Sequence, residues 1–349
     1  MKHLFTLLGL AATAAGLSFL AGCGGSSQNT LSLFIWEEYM DPDVLKEFEA
    51  ETGIRVIESN FGSNEDLLAK LQVGGGGYDV IVPSDYMVQV MRRQNLLVPL
   101  DHAKLPGLAH LHERFRSPPF DPGHEVSVPF QWGVTGIAYN EEAMPNPPRT
   151  WAEFFDPARI AAAKGRISLL NDAREVLGAA LIALGKSPNS TDTAELSAAR
   201  ALVSGIKPLV AKFDSESFED SLAAGETILV QGWSGEISVA MEESDKIGYL
   251  VPEDGALAFV DNLAIPASSK KVEAAHKLID FLLRPDIAAR IANFTYYGTC
   301  NKAAEADVDE ALRNSPTWGW PEENESHFLE DVGEAGESYD RIWTELKTE

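Results

Sequence analysis

Basic residues are scarce in this sequence. The 349 residues contain 28 Lys and Arg against 53 Asp and Glu, which gives a formal net charge of −25. Phosphate backbones are bound by clustered Lys and Arg, so the composition argues against nucleic acid as a partner. An acidic surface mildly favours cationic ligands, although in most proteins it serves only solubility.

Cysteine is also rare, with Cys23 and Cys300 as the two examples. Cys23 ends the segment MKHLFTLLGLAATAAGLSFLAGC, whose basic start, apolar stretch and LAGC ending are typical of a lipoprotein export signal. We therefore predict a signal peptide over residues 1–22, a lipidated Cys23, and a flexible tether over residues 23–30. A plain transmembrane anchor is disfavoured because the apolar stretch is rich in Ala and Gly and stops at GGSSQN.

Export has two consequences. Cleavage before Cys23 would leave Cys300 as the single thiol of the chain, so the mature protein could form no internal disulfide. We expect a lipid-anchored protein in the periplasmic space or on the outer face of the cell membrane.

Several catalytic and metal-binding motifs are missing. The sequence has no G-x-x-x-x-G-K-[ST] and no H-E-x-x-H, and HLHERF (110–115) has the wrong spacing for a zinc site. GWSGE (232–236) resembles the G-x-S-x-G elbow of serine hydrolases, but Glu236 replaces the last glycine. Acid pairs near tryptophan could serve a glycosidase, so an exported carboxylate-based hydrolase stays as an alternative. The sequence favours a protein that is not an enzyme and needs no cofactor or metal.

Strand and helix signals alternate along the chain. Residues 31–35 form an apolar run that suits a buried strand, and Asp41, Pro42 and Gly53 then mark the cap, start and end of a helix. Further strand–helix units are predicted at 54–73, 78–91, 165–185 and 227–243. This order is typical of an α/β fold with parallel sheets, and the length suffices for two domains.

Two longer β-rich segments interrupt the alternation, at 126–140 and 257–269. The first contains Pro129 and Gly133, which we interpret as breaks in the strand. Segments of this length could cross between two domains. The region 270–291 then predicts two helices that are separated at Arg284 and Pro285.

Aromatic and acidic residues recur directly after the predicted strands, where open α/β sheets bind their ligands. Arg174 is the one basic residue at these junctions. Carboxylates form charge-assisted hydrogen bonds with ammonium groups, and rings add cation–π contacts of about 0.5–2 kcal/mol. The pattern therefore predicts a pocket for an organic cation. The junction residues are Trp36, Glu38, Tyr39, Ser84, Asp85, Tyr86, Asp172, Glu175, Trp233, Glu236, Phe259, Asp261 and Tyr297.

Some of these residues have simpler explanations. Asp172 and Glu175 could have no role beyond capping a helix. Trp36 and Trp233 could belong to the hydrophobic core. Asp261 is harder to explain in this way, because it lies within an apolar β segment with no cation nearby in the sequence. A cationic ligand would supply its partner.

Several segments resemble the substrate-binding proteins of spermidine/putrescine ABC transporters, from about residue 30 to the C-terminus. The resemblance implies a two-lobe, periplasmic-binding-protein-like fold of type II, in which each lobe is a β-sheet flanked by helices and the ligand binds between the lobes. It places lobe 1 at 30–136 plus 263–303, and lobe 2 at 137–262 plus 304–349. The segments are WEEYMDPDVLKEFEAETGIRV, SNEDLLAKL, YDVIVPSDYMV, NDAREVLGAAL, GWSG, FVDNLAIP and LIDFLLRPDIA.

The resemblance also implies site residues, a function and partners. The implied protein is a monomer that captures putrescine or spermidine by lobe closure and delivers it to an ABC permease. Phe259 and Glu236 resemble putrescine binders, whereas Tyr86 resembles the spermidine type and Leu329 replaces an expected glutamine, so the preferred polyamine stays open. The implied cleft residues are Trp36, Glu38, Tyr39, Ser84, Tyr86, Asp172, Glu175, Trp233, Asp261 and Tyr297.

We assign the ligand's amines to acids and its methylene chain to rings. The acids are Glu38, Asp172, Glu175 and Asp261, and the rings are Tyr39, Tyr86, Trp233, Phe259 and Tyr297. Ferric iron is the main rival ligand, because YYG (296–298) is similar to the paired tyrosines of iron-binding relatives. The tryptophans argue against a metal. A binding lobe used for signalling would have the same pocket as one used for import.

Overall fold

The computed structural model describes residues 29–74, 76–320 and 326–348. The predicted signal peptide, the lipidated Cys23 and most of the predicted tether lie outside the described residues. Within the described part of the chain, no helix combines the length and hydropathy needed to cross a membrane.

Strands and helices alternate through most of the chain. The strands are β1 (Thr30–Trp36), β2 (Arg55–Phe61), β3 (Val80–Ile81), β4 (Ser127–Asn140), β5 (Ile167–Leu169), β6 (Val210–Phe213), β7 (Leu229–Trp233), β8 (Ile247–Leu250), β9 (Ala256–Ala264), β10 (Gly298–Thr299) and β11 (Ser326–Phe328). The helices are α1 (Pro42–Thr52), α2 (Asn64–Gln72), α3 (Asp85–Arg93), α4 (Trp151–Phe154), α5 (Ala173–Ala183), α6 (Thr193–Ile206), α7 (Phe218–Ala223), α8 (Ser234–Glu243), α9 (Val272–Leu282), α10 (Pro285–Thr295), α11 (Glu310–Arg313) and α12 (Gly336–Thr348).

Local signals account for the ends of α1, as the sequence predicts. The Asp41 side chain accepts a hydrogen bond from the Asp43 amide, Pro42 occupies the first turn, and Gly53 closes the helix in the left-handed region with φ 70°. One face of the helix is buried through Val44 and Phe48. Burial of such side chains contributes about 1.5–3 kcal/mol each.

The strands form two parallel groups joined by antiparallel strands. β1 pairs in parallel with β2 and β3, and β5 pairs in parallel with β6 and β7. The order along the sheet is β2-β1-β3-β9-β4-β7-β5-β6. The predicted parallel pairing therefore holds within each group, whereas β4 and β9 run antiparallel to each other, β9 antiparallel to β3 and β4 antiparallel to β7. The architecture is the predicted α/β fold of two lobes, each built on one group.

β4 and β9 connect the two groups. The first half of β4, from Ser127 to Thr135, pairs with β9, and its second half pairs with β7 through Tyr139. The interpretation of Pro129 and Gly133 as breaks is wrong: β4 is one continuous strand, with only a shift of register between Pro129 and Gln131. A long strand can absorb such a bulge because only the local ladder is disturbed.

The segment after Cys300 stays beside the first group for some distance. Ala304, Val308 and Leu312 form a small apolar cluster with alanines of α10. Further along, α12 buries Tyr339 and Trp343 and contacts α5 and α6 of the second group. The chain therefore returns to the second group after Leu312.

Candidate functional site

A cavity lies where the loops after β1, β3, β5 and β7 meet β9. It comprises about 490 Å³ of empty space, part of which is open to solvent. Every site residue predicted from the sequence lines it, except Glu38. The lining residues are Trp36, Tyr39, Asn64, Ser84, Asp85, Tyr86, Asp172, Glu175, Trp233, Glu236, Phe259, Asp261, Tyr297 and Leu329.

Glu38 lies apart from this cavity. Its side chain is exposed and its backbone is in the left-handed region, with φ 52°. It lines a neighbouring hollow together with Trp36, Trp233 and Glu236. The structure thus does not bring Glu38 into contact with the other predicted amine-binding acids.

Asn64 is a lining residue that the sequence reasoning missed. It is the first residue of α2, directly after the carboxyl end of β2, and it is 3% exposed. The rule that ligands bind beyond strand ends also applies to Asn64, but the junction after β2 was not among those considered in the sequence. Asp85 and Leu329 also line the cavity, although neither was assigned a role.

Asp261 lies at the centre of a buried hydrogen-bond network. It is 2% exposed, and its Oδ1 accepts from the Ser84 hydroxyl at 2.6 Å while its Oδ2 accepts from the Tyr39 hydroxyl at 2.7 Å. Burial raises the pKa of Asp261 to about 6, and the two hydroxyl donors oppose this rise. No cationic side chain within the described residues neutralises this carboxylate by an ion pair.

Asp172 and Glu175 supply a second acidic group from the start of α5. Asp172 caps the helix by accepting from the amides of Arg174 and Glu175, at 2.8 and 3.0 Å. The capping explanation is therefore correct for Asp172, and both residues line the cavity. Burial and the neighbouring Asp172 raise the pKa of Glu175 to about 8. Its Oε2 is buried without a hydrogen-bond partner in the described structure.

Glu236 and Tyr297 form a third polar group. The Tyr297 hydroxyl donates a hydrogen bond to the Glu236 carboxylate. Burial raises the pKa of Glu236 to about 7, and the nearby Asp261 adds to the rise. Tyr297 is 3% exposed, whereas the neighbouring Tyr296 is part-buried and does not line the cavity. The two tyrosines of YYG therefore do not meet there.

Aromatic rings form much of the remaining wall. The Trp36 and Trp233 rings meet edge to face at 5.9 Å, and the Tyr297 ring lies 5.0 Å from Tyr39 and 5.9 Å from Phe259. Such ring walls favour cations and alkyl chains over strongly hydrated ligands.

Two glycines make room for these rings. A Cβ atom at Gly235 would lie 2.3 Å from the Tyr297 ring, and one at Gly133 would lie 2.5 Å from the Phe259 ring. Gly133 therefore serves the site by letting a ring approach the β4 backbone, rather than by ending the strand.

Arg174 lies behind the wall rather than in the cavity. Its guanidinium stacks between the rings of Tyr86 and Tyr339, at 5.2 and 4.8 Å, and donates to the Glu330 carbonyl and to Asn189. Within the described residues no Lys or Arg lines the cavity. As far as the structure describes it, the wall thus combines several buried carboxylates with rings and includes no Lys or Arg.

The arrangement suits the binding of a cation with an alkyl body. Ammonium groups can pair with the buried carboxylates, and methylene groups can pack on the rings. The part of the chain that the structure describes has no group of three or more His, Cys, Asp or Glu placed to hold a metal ion. No histidine or cysteine lines the cavity in the described residues.

The chain is similar to known proteins in both sequence and structure. Residues 43–317 match the model of the family described as bacterial extracellular solute-binding protein. The chain is 37% identical over 346 residues to the spermidine/putrescine-binding periplasmic protein of Escherichia coli (strain K12), covering 98% of this chain and 97% of that protein.

Two solved structures are similar to this one over most of the chain. The putative spermidine/putrescine ABC transporter from Listeria monocytogenes superimposes with a TM-score of 0.87 at 36% identity, covering 91% of this chain and 99% of that one. The TpPotD lipoprotein of Treponema pallidum gives a TM-score of 0.81 at 31% identity, covering 92% of this chain and 100% of that one.

Proposed function

The chain belongs to the family of bacterial extracellular solute-binding proteins, and from this premise we propose that it captures a polyamine and delivers it to the permease of an ABC importer. Members of this family bind solutes for transport and are not enzymes. The relatives named above are described as spermidine- and putrescine-binding, which supports a polyamine as the ligand here.

The observation that carries the proposal is an acid-rich, ring-walled cavity that no basic residue lines in the described part of the chain. Asp261 and Glu236 come from β9 and α8, whereas Asp172 and Glu175 come from the start of α5. A protonated diamine needs a carboxylate at each end and apolar contact between them. We assign one ammonium to Asp261 and Glu236 and the other to Asp172 and Glu175, where each gains charge-assisted hydrogen bonds.

Capture would proceed by closure of the lobes. We assign residues 30–136 and 263–303 to lobe 1, as the sequence predicts, and we extend this lobe to Leu312 because that segment packs on α10. Residues 137–262 and the remainder of the C-terminal region form lobe 2. A ligand held by both lobes stabilises the closed state through contacts that only this state offers.

We further propose that the protein is exported and anchored as a monomer. Residues 1–22 would be removed as a signal peptide and Cys23 would carry the lipid, as the LAGC sequence predicts. The description of a structural neighbour as a lipoprotein supports this assignment. Replacement of Cys23 by serine should abolish the incorporation of labelled fatty acid into the protein, because serine has no thiol to carry the lipid.

A calorimetric titration tests the ligand. Putrescine, cadaverine and spermidine are each titrated into protein that starts after Cys23, with mono-acetylated putrescine as the matched control. We expect saturable binding of at least one polyamine, and much weaker binding of the acetylated compound because one carboxylate group loses its ammonium. Absence of heat with all three polyamines, confirmed by unchanged melting temperatures, would refute the proposal.

A further inference from the structure

Asn64 makes a pair of hydrogen bonds with Ser84 at the edge of the cavity. Its Oδ1 accepts from the Ser84 amide at 3.1 Å, and its Nδ2 donates to the Ser84 hydroxyl oxygen at 3.0 Å. The backbone amide can only donate, so it fixes which end of the Asn64 side chain faces it. The orientation of the Asn64 amide is thereby determined.

This orientation decides where the Ser84 hydroxyl hydrogen points. The hydroxyl oxygen already accepts from Asn64, and its single hydrogen is directed to Asp261 Oδ1 at 2.6 Å. Ser84 and Asp261 also form an isolated β-bridge, which holds their backbones together. Asn64, Ser84 and Asp261 therefore form a directed chain of donors that ends on the carboxylate.

We infer that Asn64 is a positioning residue for the ligand: it commits the Ser84 hydroxyl as a donor to Asp261, and this donor keeps the buried carboxylate ionised for an ammonium group. The inference rests on the proposed function and adds to it a residue that does not itself pair with the ligand's charge. A carboxylate with fixed neutral donors is more easily kept ionised in a dry site than one without them.

Other polar groups also face Asp261. Tyr39 donates the second hydrogen bond to it. The Asp261 carboxylate in turn raises the pKa values of the neighbouring Glu236 and Asp85 carboxyls, in addition to the effect of their burial. Tyr297 and Cys300 also face the carboxylate, and burial raises their pKa values well above the ordinary range, so both stay neutral near pH 7. The Ser84 hydroxyl is thus one of two neutral donors that oppose the burial of Asp261.

Replacement of Asn64 by leucine removes both hydrogen bonds while keeping a side chain of similar size. Putrescine and spermidine are titrated calorimetrically between pH 5 and 8. In N64L we expect the pH below which affinity falls to move upward by about one unit, with about threefold weaker binding at pH 6.5 and about tenfold weaker binding at pH 5. In the unliganded protein the Asp261 carboxyl resonance, assigned by its loss in D261N, should titrate at a correspondingly higher pH.

A double-mutant cycle separates this role from a general structural one. If Asn64 acts through Ser84, S84A alone and S84A combined with N64L should bind equally and show the same pH midpoint. Asn301 supplies a matched control, since it is a buried asparagine that bonds the Leu283 carbonyl away from the cavity. N301L should lower the melting temperature and leave the pH midpoint of binding unchanged.

Two results would overturn the inference: an unchanged titration of Asp261 in N64L, or additive effects of N64L and S84A. Failure of the unmodified protein to bind any polyamine is a separate outcome that refutes the proposed function. The carboxyl resonance still reports the effect of Asn64 in that case, because it is measured without ligand.

Discussion

Replacement of Asp261 by asparagine tests the assignment of the ligand's ammonium group directly. The change keeps the shape of a side chain that is 2% exposed and removes its charge. Truncating one partner of a buried charge pair costs about 2–5 kcal/mol. We therefore expect D261N to bind polyamine at least about 30-fold more weakly at pH 7, since about 1.4 kcal/mol corresponds to a factor of ten.

The same change should leave the unliganded protein nearly as stable. The folded pKa of about 6 lies above the ordinary value of 3.8. The protonated carboxyl of Asp261 therefore contributes stability that is fully present below pH 3.8 and is lost as the pH rises through about 6. The loss amounts to about 3 kcal/mol above pH 6, and asparagine avoids it.

An opposing cost arises from the hydroxyl donors of Tyr39 and Ser84, which both point at this side chain. One of them would face the asparagine Nδ2 and must turn to accept, at a cost of about 1–3 kcal/mol if it finds no new partner. The two effects are similar in size, so the unliganded melting temperature should change by about 3 °C or less.

Calorimetry and melting curves measure the two effects separately. Asp121 provides a matched control, because it is fully buried far from the cavity and accepts hydrogen bonds from Val126 and Ser127. D121N should lower the melting temperature and leave the affinity unchanged. If D261N binds polyamine within about threefold of the unmodified protein, Asp261 does not receive an ammonium group and the charge argument for the cavity fails.

Further predictions concern the release of protons on binding, the space available to the Tyr297 ring and the closure of the lobes. The pKa values of Glu175 and Asp261 are about 8 and about 6 without ligand. A bound ammonium group should therefore displace protons from these carboxyls, and affinity should rise between pH 6 and 8. Calorimetry at pH 7 in two buffers of different ionisation enthalpy measures the number of protons released. Gly235→Ala should push the Tyr297 ring into the cavity and weaken polyamine binding about tenfold or more in a calorimetric titration. Gly205→Ala is the control and should leave binding unchanged, because the space around its Cβ position is open. Arg174→Met should remove the stacking contact with the Tyr86 ring and so disfavour closure of the lobes. We expect small-angle X-ray scattering at saturating ligand to give a larger radius of gyration for this variant. An unchanged radius of gyration would contradict this role of Arg174.

The sequence predicts the helices and strands well where their signals are local. The cap, first turn and final glycine of α1 all lie within a few residues of the ends they determine. β3 is shorter than its apolar segment indicates, since Pro83 has no amide hydrogen to continue the ladder. The pairing of β4 with β9 joins residues more than a hundred positions apart, and no local pattern determines it.

The site was predictable to the extent that it follows strand ends. Tyr39, Ser84, Asp172 and Trp233 lie there, and all four line the cavity. The direction of a loop side chain is not periodic, so nothing in the sequence shows that the turn with φ 52° leaves Glu38 exposed.

The continuous β4 strand determines what kind of motion the molecule can make. The strand is continuous from Ser127 to Asn140, with β9 antiparallel beside its first half and β7 beside its second half. A peptide linker would allow swivelling in many directions, but a double ribbon resists bending in its own plane and yields mainly by torsion. We therefore expect the lobes to open by a reversible twist of the paired β4 and β9 strands that keeps their hydrogen bonds. Their backbone amides should then exchange slowly with deuterium both with and without polyamine.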